Sequence, residues 1–337
     1  LYPLTVRLAG NEVRKKIGLR EIEVRTEEDE VGLSMLFRVN GRDIFCKGAN
    51  WIPCDGFPQR QTREVLDDLL SSATAAHMNM LRVWGGGQYE SDAFYDQCDK
   101  LGLMVWQDFM FANMDYPVDD QAVATSVGIE VEQFLADVAN HPSVVFVCGG
   151  SEVEQQSAMM GLDPRHITND LGRRVLPELV SRLAPQVHYV PCSPSGGTFP
   201  FSVSNGVSHY YGVGAYMRPL HDARRSEVKF TSECLAFSNV PCRESVDDFL
   251  RDGERPAHSP RWKARVPRDR GAGWDFEDVR DHYVQTILGV DPSVTRYSDS
   301  DRYLDLGRAA ACVAIESTLN EFRRAGSSCH GALVFLL

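Results

Sequence analysis

The sequence predicts an α/β chain built as a (β/α)8 TIM barrel, with the last strands of a separate β domain in front of it. Three observations carry this. From residue 44 onward, apolar runs of four to seven residues alternate with longer amphipathic stretches, the pattern of parallel strands joined by helices. Eight such runs can be placed along the chain, which suits a closed barrel better than a doubly wound sheet. The 337 residues also accommodate a barrel of about 250 residues with additions.

Residues 1–25 are the strands in front. Leu4, Val6 and Leu8 alternate with polar neighbours, and the alternation resumes at Val13 and again at Ile22 and Val24, as in half-buried strands. Residues 26–32 form an acidic connector, and 26–337 are read as the barrel domain. Phe37-Arg38-Val39 runs into Asn40-Gly41, a strong hairpin signal because both residues accept positive φ. Strands are then expected near 44–50, 79–84, 102–108, 144–151, 187–192, 206–211, 228–232 and 332–337. Helices are expected near 62–76, 92–101, 126–139, 168–183, 242–251, 276–288 and 302–325. Residues 252–273, rich in Arg and Pro without a hydrophobic period, read as a long surface loop. The chain opens on Leu1 and closes on an apolar run, which predicts a piece of a longer polypeptide.

Composition removes several classes of function. Thirty-five basic against forty-seven acidic residues give a net charge of -12, which repels phosphate backbones and anionic lipid, so neither nucleic acid nor a membrane is an expected partner. The apolar runs are far shorter than the roughly 20 residues a spanning helix needs. Nine cysteines lie dispersed without a C-x-x-C pair, favouring buried thiols and a cytosolic setting over a disulfide frame. The histidines and cysteines show no ligand spacing, so no metal is expected.

Barrel active sites form at the C-terminal ends of the strands, and the polar residues closing each apolar run are therefore the candidates. They are Trp51 after the first run, Arg82 and Trp84 after the second, Asp108 after the third, Ser151 and Glu152 after the fourth, His209 and Tyr210 after the sixth, and Glu233 after the seventh. Two glutamates, each following a buried strand and ringed by Trp, Tyr, His and Arg, suit glycosidic bond cleavage. One carboxyl protonates the leaving oxygen and the other meets the developing oxocarbenium ion. Gly85-Gly86-Gly87 lacks the spacing of a phosphate cradle and reads as a tight turn. Asp299-Ser300-Asp301 lacks the glycine of a calcium loop and reads as a helix cap.

The run Phe45-Cys46-Lys47-Gly48-Ala49-Asn50-Trp51-Ile52-Pro53, the stretch Asn79-Met80-Leu81-Arg82-Val83-Trp84-Gly85-Gly86-Gly87 and the segment Leu101-Gly102-Leu103-Met104-Val105-Trp106-Gln107-Asp108-Phe109-Met110-Phe111-Ala112 resemble the catalytic barrel of glycoside hydrolase family 2, most closely its β-mannosidase branch. The likeness extends from about residue 37 to 241. It implies a retaining exo-β-glycosidase with no cofactor, acting on a β-linked oligosaccharide or glycoside. It further implies Glu152 as acid/base, Glu233 as nucleophile, Tyr210 as a contact of the nucleophile, and Arg82 and Trp84 as lining of the sugar subsite. Residues 1–25 would then be the tail of an immunoglobulin-like module. The sequence departs from the family pattern at Ser151, where the family has Asn, at Cys234-Leu235 and at Phe335. A different sugar specificity on the same scaffold, or a noncatalytic carbohydrate-binding homologue, are the alternatives.

Overall fold

The computed structural model describes residues 1–163, 169–268 and 271–335. The chain divides into two compact units, one of residues 1–209, 227–233 and 328–337, the other of residues 210–226 and 234–327.

The first unit begins with a hairpin of β1 (Tyr2–Leu8) and β2 (Asn11–Ile17), turning at Ala9-Gly10 with Val6 opposite Val13. The alternation there predicts half-burial, but Tyr2, Leu4, Val6, Leu8 and Val13 are all exposed. Three antiparallel strands follow: β3 (Ile22–Arg25), β4 (Leu36–Val39) and β5 (Arg42–Ile44). The Asn-Gly turn joins β4 to β5 as expected, with Asn40 at φ 50° and Gly41 at φ 76°.

The barrel strands come next: β6 (Cys46–Trp51), β7 (Met80–Val83), β8 (Met104–Asp108), β9 (Val144–Cys148), β10 (His188–Val190), β11 (Val207–Tyr210), β12 (Phe230–Cys234) and β13 (Gly331–Val334). Their order in one eight-stranded sheet is β10-β9-β8-β7-β6-β13-β12-β11. Except for β10 and β11, which end the order, each strand lies beside its chain neighbour, and the last lies beside the first, with Gly331 parallel to Cys46. An antiparallel bridge, Ser195 to Val207, links the stretch after β10 to β11. This is the circular order of a TIM-like barrel. Gly48 is required where β6 meets β7, because a Cβ there would stand 1.6 Å from the Met80 carbonyl oxygen.

Helices α1 (Arg63–Ala75), α2 (Asp92–Leu101), α3 (Gln121–Val138), α4 (Val153–Met159) and α5 (Leu176–Leu183) complete the first unit. Helix α3 starts earlier than its hydrophobic period suggests, because Asp120 accepts the N–H groups of Ala122 and Val123 as a cap. Ahead of α5 lies a wide turn, Leu171–Val175. Residue 168 of the expected helix, and residues 336 and 337 of the expected last strand, lie outside the described residues.

Pleating sorts each strand between two cores. Leu81, Val83 and Val105 join Leu66, Leu70, Phe94 and Val131 in the layer between sheet and helices. Met80, Trp106, Phe146, Phe230 and Leu333 face the other way with Phe37 from β4. Phe37 is fully buried, its ring centroid 5.5 Å from Phe146 and 5.6 Å from Phe230.

The second unit is helical: α6 (Asp222–Arg225), α7 (Arg243–Phe249), α8 (Pro260–Ala264), α9 (Phe276–Leu288), α10 (Pro292–Ser298) and α11 (Ser300–Arg323). Asp299 caps α11 through the Arg302 N–H, as its sequence context predicts. Residues 252–273 are not wholly a surface loop, for they contain α8, capped by Ser259 and opened by Pro260. Trp262 of that helix is fully buried, and its indole N–H donates to Glu277 at 2.8 Å. One anchoring side chain leaves no periodic trace, which explains the difference.

Candidate active site

Residues two apart on a strand share a face. Met80 and Arg82, Trp106 and Asp108, and Val207 and His209 therefore continue the barrel's inward face from an apolar floor to a polar upper end. Arg82 is the centre of that end. It is fully buried and donates from Nη2 to Asp108 Oδ2 at 2.7 Å, from Nη1 to Glu233 Oε1 at 2.6 Å, and to Asn50 Oδ1 and Ser151 Oγ at 3.0 Å each. Burial alone would discourage the guanidinium charge, but Asp108 and Glu233 outweigh it and raise the Arg82 pKa. Asp108 is saturated as an acceptor, taking also the Trp106 indole N–H at 2.9 Å and the Gly85 N–H at 3.1 Å.

Ser151 Oγ accepts a second hydrogen bond, from Trp84 Nε1 at 2.9 Å. Trp84 belongs to the same face as Arg82, two residues earlier. Glu152 follows with φ 55° at the start of α4. That helix turns Gln155 and Gln156 back onto it, at the i+3 and i+4 positions, with amide-to-carboxylate distances of 2.7 and 3.1 Å. His209 Nδ1 stands 2.7 Å from Glu152 Oε1 and 3.6 Å from Glu233 Oε2. Burial pushes the Glu152 carboxyl up, but His209, Gln156 and the Arg82 charge prevail and its pKa is lowered. One carboxylate oxygen of Glu152, one of Glu233 and a ring nitrogen of His209 all lie within 4.8 Å of one another.

Seven of the nine candidate residues, Arg82, Trp84, Asp108, Ser151, Glu152, His209 and Glu233, are thus joined in one network. Trp51 is not in it. Asn50 points inward, so the adjacent Trp51 points outward, where its ring packs 4.9 Å from Phe94 and its N–H donates to Glu90 at 2.9 Å. Tyr210 closes β11, and its hydroxyl donates to Asp222 Oδ2 at 2.9 Å. Asn50, Gln155, Gln156, Ser193 and Ser232 belong to the network without having been singled out from sequence. The two glutamines carried a readable signal, their spacing one helical turn after Glu152.

A second cluster of ionisable side chains, Asp96, Asp99 and His141, also has its nitrogen and oxygen atoms within 4.8 Å. Asp99 accepts there from His141 Nδ1 at 2.8 Å and from the Ser143 N–H at 2.9 Å. Both of its oxygens are engaged, so the group reads as a structural ion pair. Burial opposes the His141 charge but Asp99 prevails, raising the His141 pKa.

No family model matches the chain. It is similar to beta-mannosidase B of Emericella nidulans, 35% identical over 232 residues, which is 63% of this chain and 27% of that protein. It is also similar to the beta-mannosidase of Capra hircus, 46% identical over 148 residues, 43% of this chain and 17% of that one. Among solved structures, the beta-D-mannosidase of Dictyoglomus thermophilum superimposes with a TM-score of 0.83 at 31% identity, covering 97% of this chain and 39% of that one. The chain therefore spans well under half the length of these relatives. The likenesses, over 97% of the chain in three dimensions and 63% in sequence, are each to a β-mannosidase, and together they support a β-mannosidase-like protein of glycoside hydrolase family 2.

Proposed function

We propose that this barrel performs retaining, exo-acting hydrolysis of terminal β-linked mannose. The observation that carries the reading is the approach of the two carboxylates, with oxygens of Glu152 and Glu233 within 4.8 Å. Retaining glycosidases hold their carboxyl groups about 5–5.5 Å apart, against roughly 6.5–9.5 Å where a water must fit between them. Glu233, with one oxygen fixed by Arg82 at 2.6 Å, attacks the anomeric carbon. Glu152 protonates the departing glycosidic oxygen and, in the second step, takes a proton from the water that releases the sugar. Residues 1–25 would belong to an immunoglobulin-like module before the barrel, a reading supported by the exposed apolar side chains of β1 and β2.

Ser151 favours one alternative, a glycosidase of different sugar specificity. It presents a short hydroxyl, already accepting from Arg82 and Trp84, where the family has an amide.

The test is kinetic, on the full-length protein that carries this barrel. Glu152→Ala should lower turnover of poor leaving groups by roughly 100-fold or more, spare activated aryl mannosides, and be partly rescued by azide. Glu233→Ala should abolish turnover of both. Equal, mild losses in the two variants would overturn the assignment, and an aryl glycoside panel decides which sugar is accepted.

A further inference from the structure

A general acid must hold a proton before the substrate arrives, yet three donors converge on Glu152. Gln155 and Gln156 can only donate through their amide N–H groups, at 2.7 and 3.1 Å. Both favour the ionised carboxylate. The third neighbour, His209 Nδ1 at 2.7 Å, is the one whose proton can move.

The hydrogen bonds behind His209 allow two placements of its protons. Ser232 Oγ lies 3.2 Å from the Ser208 carbonyl oxygen, which can only accept, and in one of the two placements the single Ser232 hydrogen goes there. The 2.6 Å contact between Ser193 Oγ and Ser232 Oγ then needs the Ser193 hydrogen. With that hydrogen placed, the 3.0 Å contact between Ser193 Oγ and His209 Nε2 needs a proton on Nε2. Nδ1 remains, facing Glu152 at 2.7 Å and Glu233 at 3.6 Å. A bare nitrogen cannot face a bare carboxylate at that distance. In this placement either Nδ1 also carries a proton, making an imidazolium, or Glu152 does; in the other, Ser232 donates to Ser193, Ser193 to Nε2, and a neutral ring donates from Nδ1 to Glu152.

We propose that Glu152 and His209 share one transferable proton, and that this is the proton delivered to the glycosidic oxygen. The proposal rests on the glycosidase reading above and deepens it. The charged groups facing the pair are Glu233 and, behind it, Arg82 paired with Asp108. In the first step the C1–oxygen bond breaks, a Glu233 oxygen bonds to C1, and the pair's proton goes to the leaving oxygen. Glu152 is left as carboxylate and His209 as neutral imidazole with Nε2–H. In the second step water attacks C1, the Glu233–C1 bond breaks, and the water's proton restores the pair. One water is consumed and no other reactant is needed. His209 acts through Glu152 and is a positioning residue, not a contact of the reacting atoms.

Two groups that share one proton give it up as a pair, so the pH profile of activity reports on both. The test is His209→Gln in the full-length protein, followed by pH profiles of kcat/KM on an alkyl and a dinitrophenyl β-mannoside. The alkaline limb on the alkyl substrate should move down by at least about one pH unit. Its kcat/KM near neutrality should fall about 100-fold, the range of general acid catalysis, with the dinitrophenyl substrate changed less than about threefold. An unmoved limb, or equal losses on both substrates, overturns the shared proton while leaving the glycosidase reading intact. No mannosidase activity in the wild type defeats that reading instead. Should the variant fold poorly, 15N spectra of ring-labelled wild type decide the matter. A neutral His209 carrying its proton on Nδ1 alone refutes the proposal, and a proton on Nε2 supports it.

Discussion

Arg82 and Glu233 are 151 residues apart in sequence and 2.6 Å apart in space, both buried inside the barrel. The guanidinium also binds Asp108, so one cation neutralises two buried carboxylates. Its planar fork of donors reaches four residues at once, which a lysine ammonium cannot do.

Removing it therefore exposes two costs. Arg82→Met should destabilise the protein by about 3–5 kcal/mol, the range for a broken buried ion pair, as read from urea unfolding. Arg82→Lys should fold better than Arg82→Met yet recover little turnover, because the charge returns without the fork that orients Glu233. Stability of Arg82→Met within about 1 kcal/mol of wild type would show that the pair is not the anchor described.

The second unit carries its own buried acid. Burial works to raise the Glu277 pKa, but Lys263, Arg280 and the Trp262 indole outweigh it and hold it at about 2, below the ordinary 4.5. A depressed folded-state pKa contributes stability that is present above the unfolded value and lost as pH falls through the folded one. Unfolding free energy should thus drop between pH 4.5 and about 2. Glu277→Gln should be less stable at neutral pH and show a shallower acid slope. A slope identical to that of wild type in denaturant titrations would contradict this assignment.

Phe37 supplies a third check. It sits on a strand outside the barrel sheet, yet is fully buried against Phe146 and Phe230. Phe37→Ala should cost about 3–5 kcal/mol by transfer and cavity terms, measured by urea or thermal unfolding. A loss below about 1 kcal/mol would mean that the site collapses without a void.

The barrel was legible from sequence because a strand buried on both faces needs a short apolar run, and the helix after it needs an amphipathic period. Local chemistry likewise revealed the Asn40-Gly41 turn and the cap at Asp299. Helix α4 and helix α8 were not legible, since a seven-residue helix has too few turns to establish a period and α8 buries Trp262 alone. Glu152 and Glu233 could be singled out because each follows an apolar run. Which strand-end aromatic enters the site could not. Trp51 and Trp84 have similar settings in the sequence, but the pleat sends Trp51 outward beside Glu90 and Trp84 inward to Ser151. A period of two says that neighbours alternate, and only closure of the sheet decides which face is inside. The convergence of His209, Gln155 and Gln156 on Glu152 is tertiary in the same sense. Sequence supplies the side chains, and the arrangement of strands and of one short helix brings them to one carboxylate.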